Sequence, residues 1–185
     1  VNLLAKEIES STIYIVLSRP ISRMSFLVGR LAGLSFVLLV NAFILTLFFL
    51  LYLYSLGAEI NVLLYWGVIF DFLTALIALN LVVLFSLFCN QIISILMTVT
   101  FLIAGNLINQ LSIHNFVMRK RWLSLMVSGL KWVVPNLEAL NLKDLIVYYQ
   151  TIPGGYIATT GAYAVTYILL LVIFSGLIFS RIELE

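Results

Sequence analysis

Between Arg30 and Glu59 the chain runs for 28 residues without an Asp, Glu, Lys or Arg; between Asp71 and Arg119 it runs for 47, and between Asp144 and Arg181 for 36. Gaps of this length are the strongest constraint in the sequence. A helix crossing the ~30 Å hydrocarbon layer of a bilayer needs about 20 apolar residues, and each gap holds at least that many. In lipid the backbone must satisfy its own hydrogen bonds, which leaves helices or closed barrels. A barrel strand alternates apolar and polar residues, and no such alternation occurs here. The gaps are therefore read as helices, although their Val, Ile and Phe content would favour strands in water.

The longest gap exceeds one crossing and breaks near Cys89-Asn90-Gln91. The expected fold class is thus an all-α polytopic membrane bundle. Its four spans are placed at roughly 28–56, 62–88, 91–112 and 156–179. Composition agrees: 63% of residues are hydrophobic and 10% charged, against about 25% charged in a typical soluble domain. The net charge of +2, with aromatics confined to apolar runs, excludes a nucleic-acid partner, which would need a basic face with stacking aromatics.

Two segments fall outside the spans. Residues 1–25 form a cytoplasmic amphipathic helix and elbow, with Leu4, Ile8 and Ile15 near one face, Lys6, Glu7, Glu9 and Ser10 polar, and Pro20 ending the helix. Residues 113–155 mix Arg119-Lys120-Arg121, Trp122, Lys131, Trp132, Glu138, Lys143 and Asp144 with apolar residues, the composition of an interfacial segment. Pro153-Gly154-Gly155 is a turn into the last span. The chain thus divides into 1–25, three spans within 26–112, the extracytoplasmic segment 113–155, and a last span with a short cytoplasmic tail at 156–185. Lys6, Arg19, Arg23 and Arg30 put the N-terminal segment in the cytoplasm by the positive-inside rule, and four spans return the C-terminus there. The same count leaves the basic residues of 113–155 outside, against the rule.

Catalytic chemistry is not expected in this chain. His114 is the only histidine, so a His-Glu-x-x-His zinc site cannot form, and Cys89 is the only cysteine, so no internal disulfide can. No Gly-x-x-x-x-Gly-Lys-Ser/Thr phosphate loop occurs.

One stretch is more specific. Residues 7–23 read EIESSTIYIVLSRPISR, followed by Phe26-Leu27-Val28-Gly29-Arg30. This resembles the cytoplasmic segment of type-2 ABC transporter permeases, where an acidic helix of the form Glu-x-x-x-x-Thr-Ile-x-x-Leu-Leu-Ser-x-Pro-Ile-Ser-Arg leads to a Gly-Lys pair at the next span. Here Gly29-Arg30 stands in for Gly-Lys. The ending Phe179-Ser180-Arg181-Ile182-Glu183-Leu184 is similar to the family's as well. The resemblance implies a coupling helix that meets a separate ABC ATPase through Glu7, Glu9, Thr12, Arg19 and Arg23. It implies ATP and magnesium on that partner and no cofactor in this chain. It further implies a second permease copy or paralogue, a bacterial or archaeal cytoplasmic membrane, export as the activity, and two more spans before Val1, because the family usually has six. The alternative is a small polytopic scaffold or assembly protein without transport, with residues 1–25 as an interfacial anchor.

Within the spans, Asp71 is the one acid. Such groups are costly in hydrocarbon and tend to face a bundle interior or cavity, so Asp71 and Asn80 are the candidate path-lining residues. The structural alternatives are a hydrogen bond that Asp71 accepts from Asn80, Thr74 or a neighbouring helix, or a span that begins near Phe70. Gly29-x-x-x-Gly33 is a small-x-x-x-small pair that permits close helix approach. Asn41, Asn80, Asn106, Asn109 and Gln110 are expected to bond across helices.

Overall fold

The computed structural model describes residues 22–57, 61–111, 134–143 and 154–181, together with positions 122, 125, 129, 130 and 146. Four α-helices and one short 3₁₀ helix are bounded within these residues, and no strand occurs among them. The helices are α1 (Arg23–Ser55), α2 (Val62–Ser86), α3 (Gln91–Leu111) and α4 (Tyr156–Arg181); the 3₁₀ helix is Glu138–Leu140.

Local chemistry sets the helix ends. The Ser22 hydroxyl caps α1 by accepting from the Ser25 N–H at 3.1 Å, and the Asn61 side chain caps α2 by accepting from the Leu63 N–H at 3.2 Å. Each satisfies one of the donors a helix start leaves without a partner. α1 ends at Leu56-Gly57, with Gly57 at φ 66°. Along the helices, polar side chains turn back on their own backbone. Thr46 donates to the Ala42 carbonyl at 2.7 Å, Thr74 to Phe70 at 2.9 Å, and Thr98 to Ser94 at 2.8 Å. Such bonds let a hydroxyl sit in an apolar helix without an unmet donor, and no buried side-chain N or O among the described residues lacks a partner.

α2 is the central helix and touches α1, α3 and α4. Its Phe70, Ile77, Leu81 and Leu84 form the main core with Ala164 and Leu171 of α4 and with Leu140 and Leu142. A second core joins Leu27 and Leu31 of α1 to Val83 of α2 and Phe179 of α4. These pairings fix the antiparallel order. The start of α1 lies beside the ends of α2 and α4, where Phe26 stacks on Phe179 at 6.4 Å. The start of α2 lies at the opposite end, with the start of α4.

That opposite end is closed by the segment 134–142. The described part of the 113–155 segment packs on the bundle, with Val134, Pro135, Leu140 and Leu142 buried. Gly105 of α3 permits this approach, because a Cβ there would sit 2.7 Å from the Pro135 carbonyl oxygen. Tyrosines of α4 hold the segment from the other side: Tyr163 accepts from the Asn136 N–H at 2.8 Å, and Tyr156 donates to the Ala139 carbonyl at 2.7 Å.

α1, α2 and α4 are long and apolar enough to cross a membrane, as in an integral membrane protein. α3 is 21 residues long, and its apolar stretch Gln91–Leu107 is shorter than the other three. α1 at 33 residues measures ~50 Å at 1.5 Å per residue, more than a ~30 Å hydrocarbon layer needs, so it must tilt or project. It begins at Arg23, five residues before the expected span, which makes Arg23 the first residue of this helix rather than part of the elbow before it. The turn at Leu87–Asn90 separates α2 from α3 at the expected break. Among the described residues nothing lies within 4 Å of a Cβ added at Gly29 or Gly33.

Candidate binding site

Asp71 is the tenth residue of α2, nine past Val62, which places it ~14 Å along the helix. With α2 centred in a ~30 Å layer, Asp71 lies roughly 10 Å below the hydrocarbon surface. Since α2 starts at Val62, Asp71 is not at a helix end.

Two cavities meet at this residue. The first, of about 580 Å³, is a cleft between α1 and α2. Its α1 wall includes Val37, Asn41, Leu45 and Thr46, and its α2 wall includes Asp71, Phe72 and Ala75. It exists because α1 is held only near its start. Leu27 and Leu31 are buried against α2 and α4, whereas Phe36, Phe43, Leu45 and Phe48 are each 66% exposed. The second cavity, of about 390 Å³, lies on the side of α3 and the 134–142 segment. Asp71, Thr74, Asn106, Glu138, Asn141 and Lys143 supply its polar lining. Its side chains include two carboxylates and one ammonium group. Asp71 lines both spaces, so one acidic group stands between an apolar chamber and a polar one.

Asn80 does not join it. It is buried, and its amide donates to the Leu76 carbonyl at 2.8 Å. Nine residues are two and a half helical turns, so Asn80 and Asp71 lie on opposite faces of α2, and Asn80 lines neither cavity. The Thr74 hydroxyl is directed to the Phe70 carbonyl. Asn41 and Asn106 line the two cavities instead of only tying helices together; the Asn109 and Gln110 side chains lie outside the described residues. Glu138, Asn141 and Lys143 had no signal in the sequence beyond ordinary loop polarity. Asn41, Asp71 and Thr74 did, as polar residues interrupting long apolar runs.

The proposed ATPase contacts Glu7, Glu9, Thr12 and Arg19 lie outside the described residues, as does the side chain of Arg23. Among the described residues no group of three or more His, Cys, Asp or Glu side chains is placed to hold a metal ion. Cys89 is a free thiol whose Sγ lies 3.9 Å from Met97 Sδ. The arrangement at Asp71 suits recognition: a fixed acidic group in an apolar wall, with polar side chains behind it. No protein family, curated protein or solved structure matches this chain.

Proposed function

We propose that this chain is the transmembrane subunit of an ABC exporter, working as a dimer with a separate ATPase that carries ATP and magnesium. The observation that carries this reading is the acidic Thr-Ile…Ser-Arg-Pro-Ile-Ser-Arg stretch at 7–23, whose last residue opens α1. In this reading α3 is a fourth span, and the segment ahead of α1 supplies the coupling helix and its elbow on the cytoplasmic face, with both termini on that side.

The packing of α1 supports a lever mechanism. Leu27 and Leu31 clamp its first turns against Val83 and Phe179, while its middle, from Leu34 to Thr46, lines the cleft. Force delivered ahead of Ser22 would rotate α1 about that clamp and change the width of the cleft beside Asp71. Closure of the ATPase on ATP supplies the force, and the cleft supplies the path.

The test is the double variant Glu7→Lys with Glu9→Lys. ATPase recovered with the permease, ATP hydrolysis and transport are each measured. Loss of a charge-matched contact should lower ATPase recovery or coupled transport at least about ten-fold. If all three stay unchanged, the coupling-helix reading fails. The second reading, a polytopic scaffold, draws on the apolar face that α1 presents outward; it predicts a bound membrane partner and no co-purifying ATPase.

A further inference from the structure

We infer that the cleft between α1 and α2 binds a single-chain amphiphile with a positively charged head, its alkyl chain between the helices and its head at Asp71. The inference deepens the transport reading by naming the class of cargo, and it rests on that reading only in calling the ligand cargo.

The argument starts from the two cavities. Both, at about 580 and 390 Å³, fall in the range of small-molecule sites. The first is walled mainly by aliphatic side chains and Phe72, which suits an alkyl chain and offers a polar head little. The second is polar and holds Asp71, Glu138 and Lys143. The acid that both chambers share, Asp71, favours a cationic head over an anionic one. Asp71 lies at the junction, so a ligand that crosses from one chamber to the other passes its carboxyl group.

Other occupants of the cleft fit less well. A lipid tail or an apolar helix seated there would press Asp71 against hydrocarbon, which is costly within a span. A positively charged head removes that penalty and gains a charge-assisted contact. A water-soluble cation would use the second chamber and leave the apolar cleft empty.

The experiment uses the full chain in uncharged maltoside micelles with two photoreactive probes of equal chain length. One is an alkyltrimethylammonium carrying a diazirine, and the other ends in an uncharged head. Cross-links are mapped by mass spectrometry. The cationic probe should label α1 and α2 at the cleft at least about ten-fold more than the uncharged one, the factor that 1.4 kcal/mol carries. Excess dodecyltrimethylammonium should compete it away. Asp71→Asn should reduce cationic labelling to the uncharged level, and Asp71→Glu should retain it. If both probes label equally, the cleft is an ordinary lipid groove and the inference fails. If neither labels it, another protein segment fills the cleft and the inference fails equally. The comparison on the unaltered chain decides the question even where Asp71→Asn does not fold. Binding needs no ATPase, so this result and the Glu7/Glu9 result can fail independently.

Discussion

Replacing Gly105 by Ala tests how the 134–142 segment is held. A Cβ at this position would lie 2.7 Å from the Pro135 carbonyl oxygen and 3.0 Å from Val134 Cγ1. The nearer atom is backbone, and that backbone is tied down. The Leu137 N–H donates to the same Pro135 carbonyl at 3.1 Å, and the Asn136 N–H donates to Tyr163 at 2.8 Å. Two effects oppose each other. Alanine in place of glycine in a helix interior gains up to about 1 kcal/mol. Forcing a methyl into a filled contact costs about 1–3 kcal/mol. Here the overpacking should win, for a net loss of about 1 kcal/mol. Gly29→Ala is the control, since no described residue lies within 4 Å of its Cβ position, and there only the helix gain should remain. Unfolding of both variants in mixed micelles by increasing dodecyl sulfate, followed by circular dichroism, gives the comparison. Amide exchange at Leu140 and Leu142 should rise in Gly105→Ala and stay unchanged in Gly29→Ala. If Gly105→Ala is as stable as Gly29→Ala, the close approach of Pro135 to α3 is wrong.

Two further outcomes are expected. Tyr156→Phe removes the donor to the Ala139 carbonyl and should cost about 1 kcal/mol, read by the same unfolding assay, with faster amide exchange at 138–142; unchanged exchange would show that this bond does not hold the segment. In a Cys89→Ser background, Ser55→Cys and Ser180→Cys, both exposed near opposite ends of the bundle, should react with an impermeant thiol reagent from opposite sides of a sealed membrane, Ser55→Cys from outside. Labelling of both from one side would overturn the antiparallel arrangement as a membrane topology.

The sequence alone determined the class of this protein. Long runs without charge, such as Leu31–Ala58, admit no other backbone than helix in lipid, so the main helices and the break near Cys89 were legible. The capping residues Ser22 and Asn61 were legible in principle as well, because a cap acts over two or three residues. Asp71 announces itself as an acid in an apolar run. Asn80 follows it by nine residues, a spacing that helical geometry places on the opposite face of α2. What the tertiary structure decided was everything that depends on which helix face meets which. Lipid is as apolar as leucine, so burial does not mark an inward face as it does in a soluble helix, and α1 and α2 show no apolar stripe to read. The clamp at Leu27 and Leu31, the turning inward of Leu140 and Leu142, and the meeting of Asn106, Glu138 and Lys143 around Asp71 arise from packing between segments far apart in the chain. Small side chains such as Gly105, which let backbones approach, set that packing, and their partners are visible only once the helices are assembled.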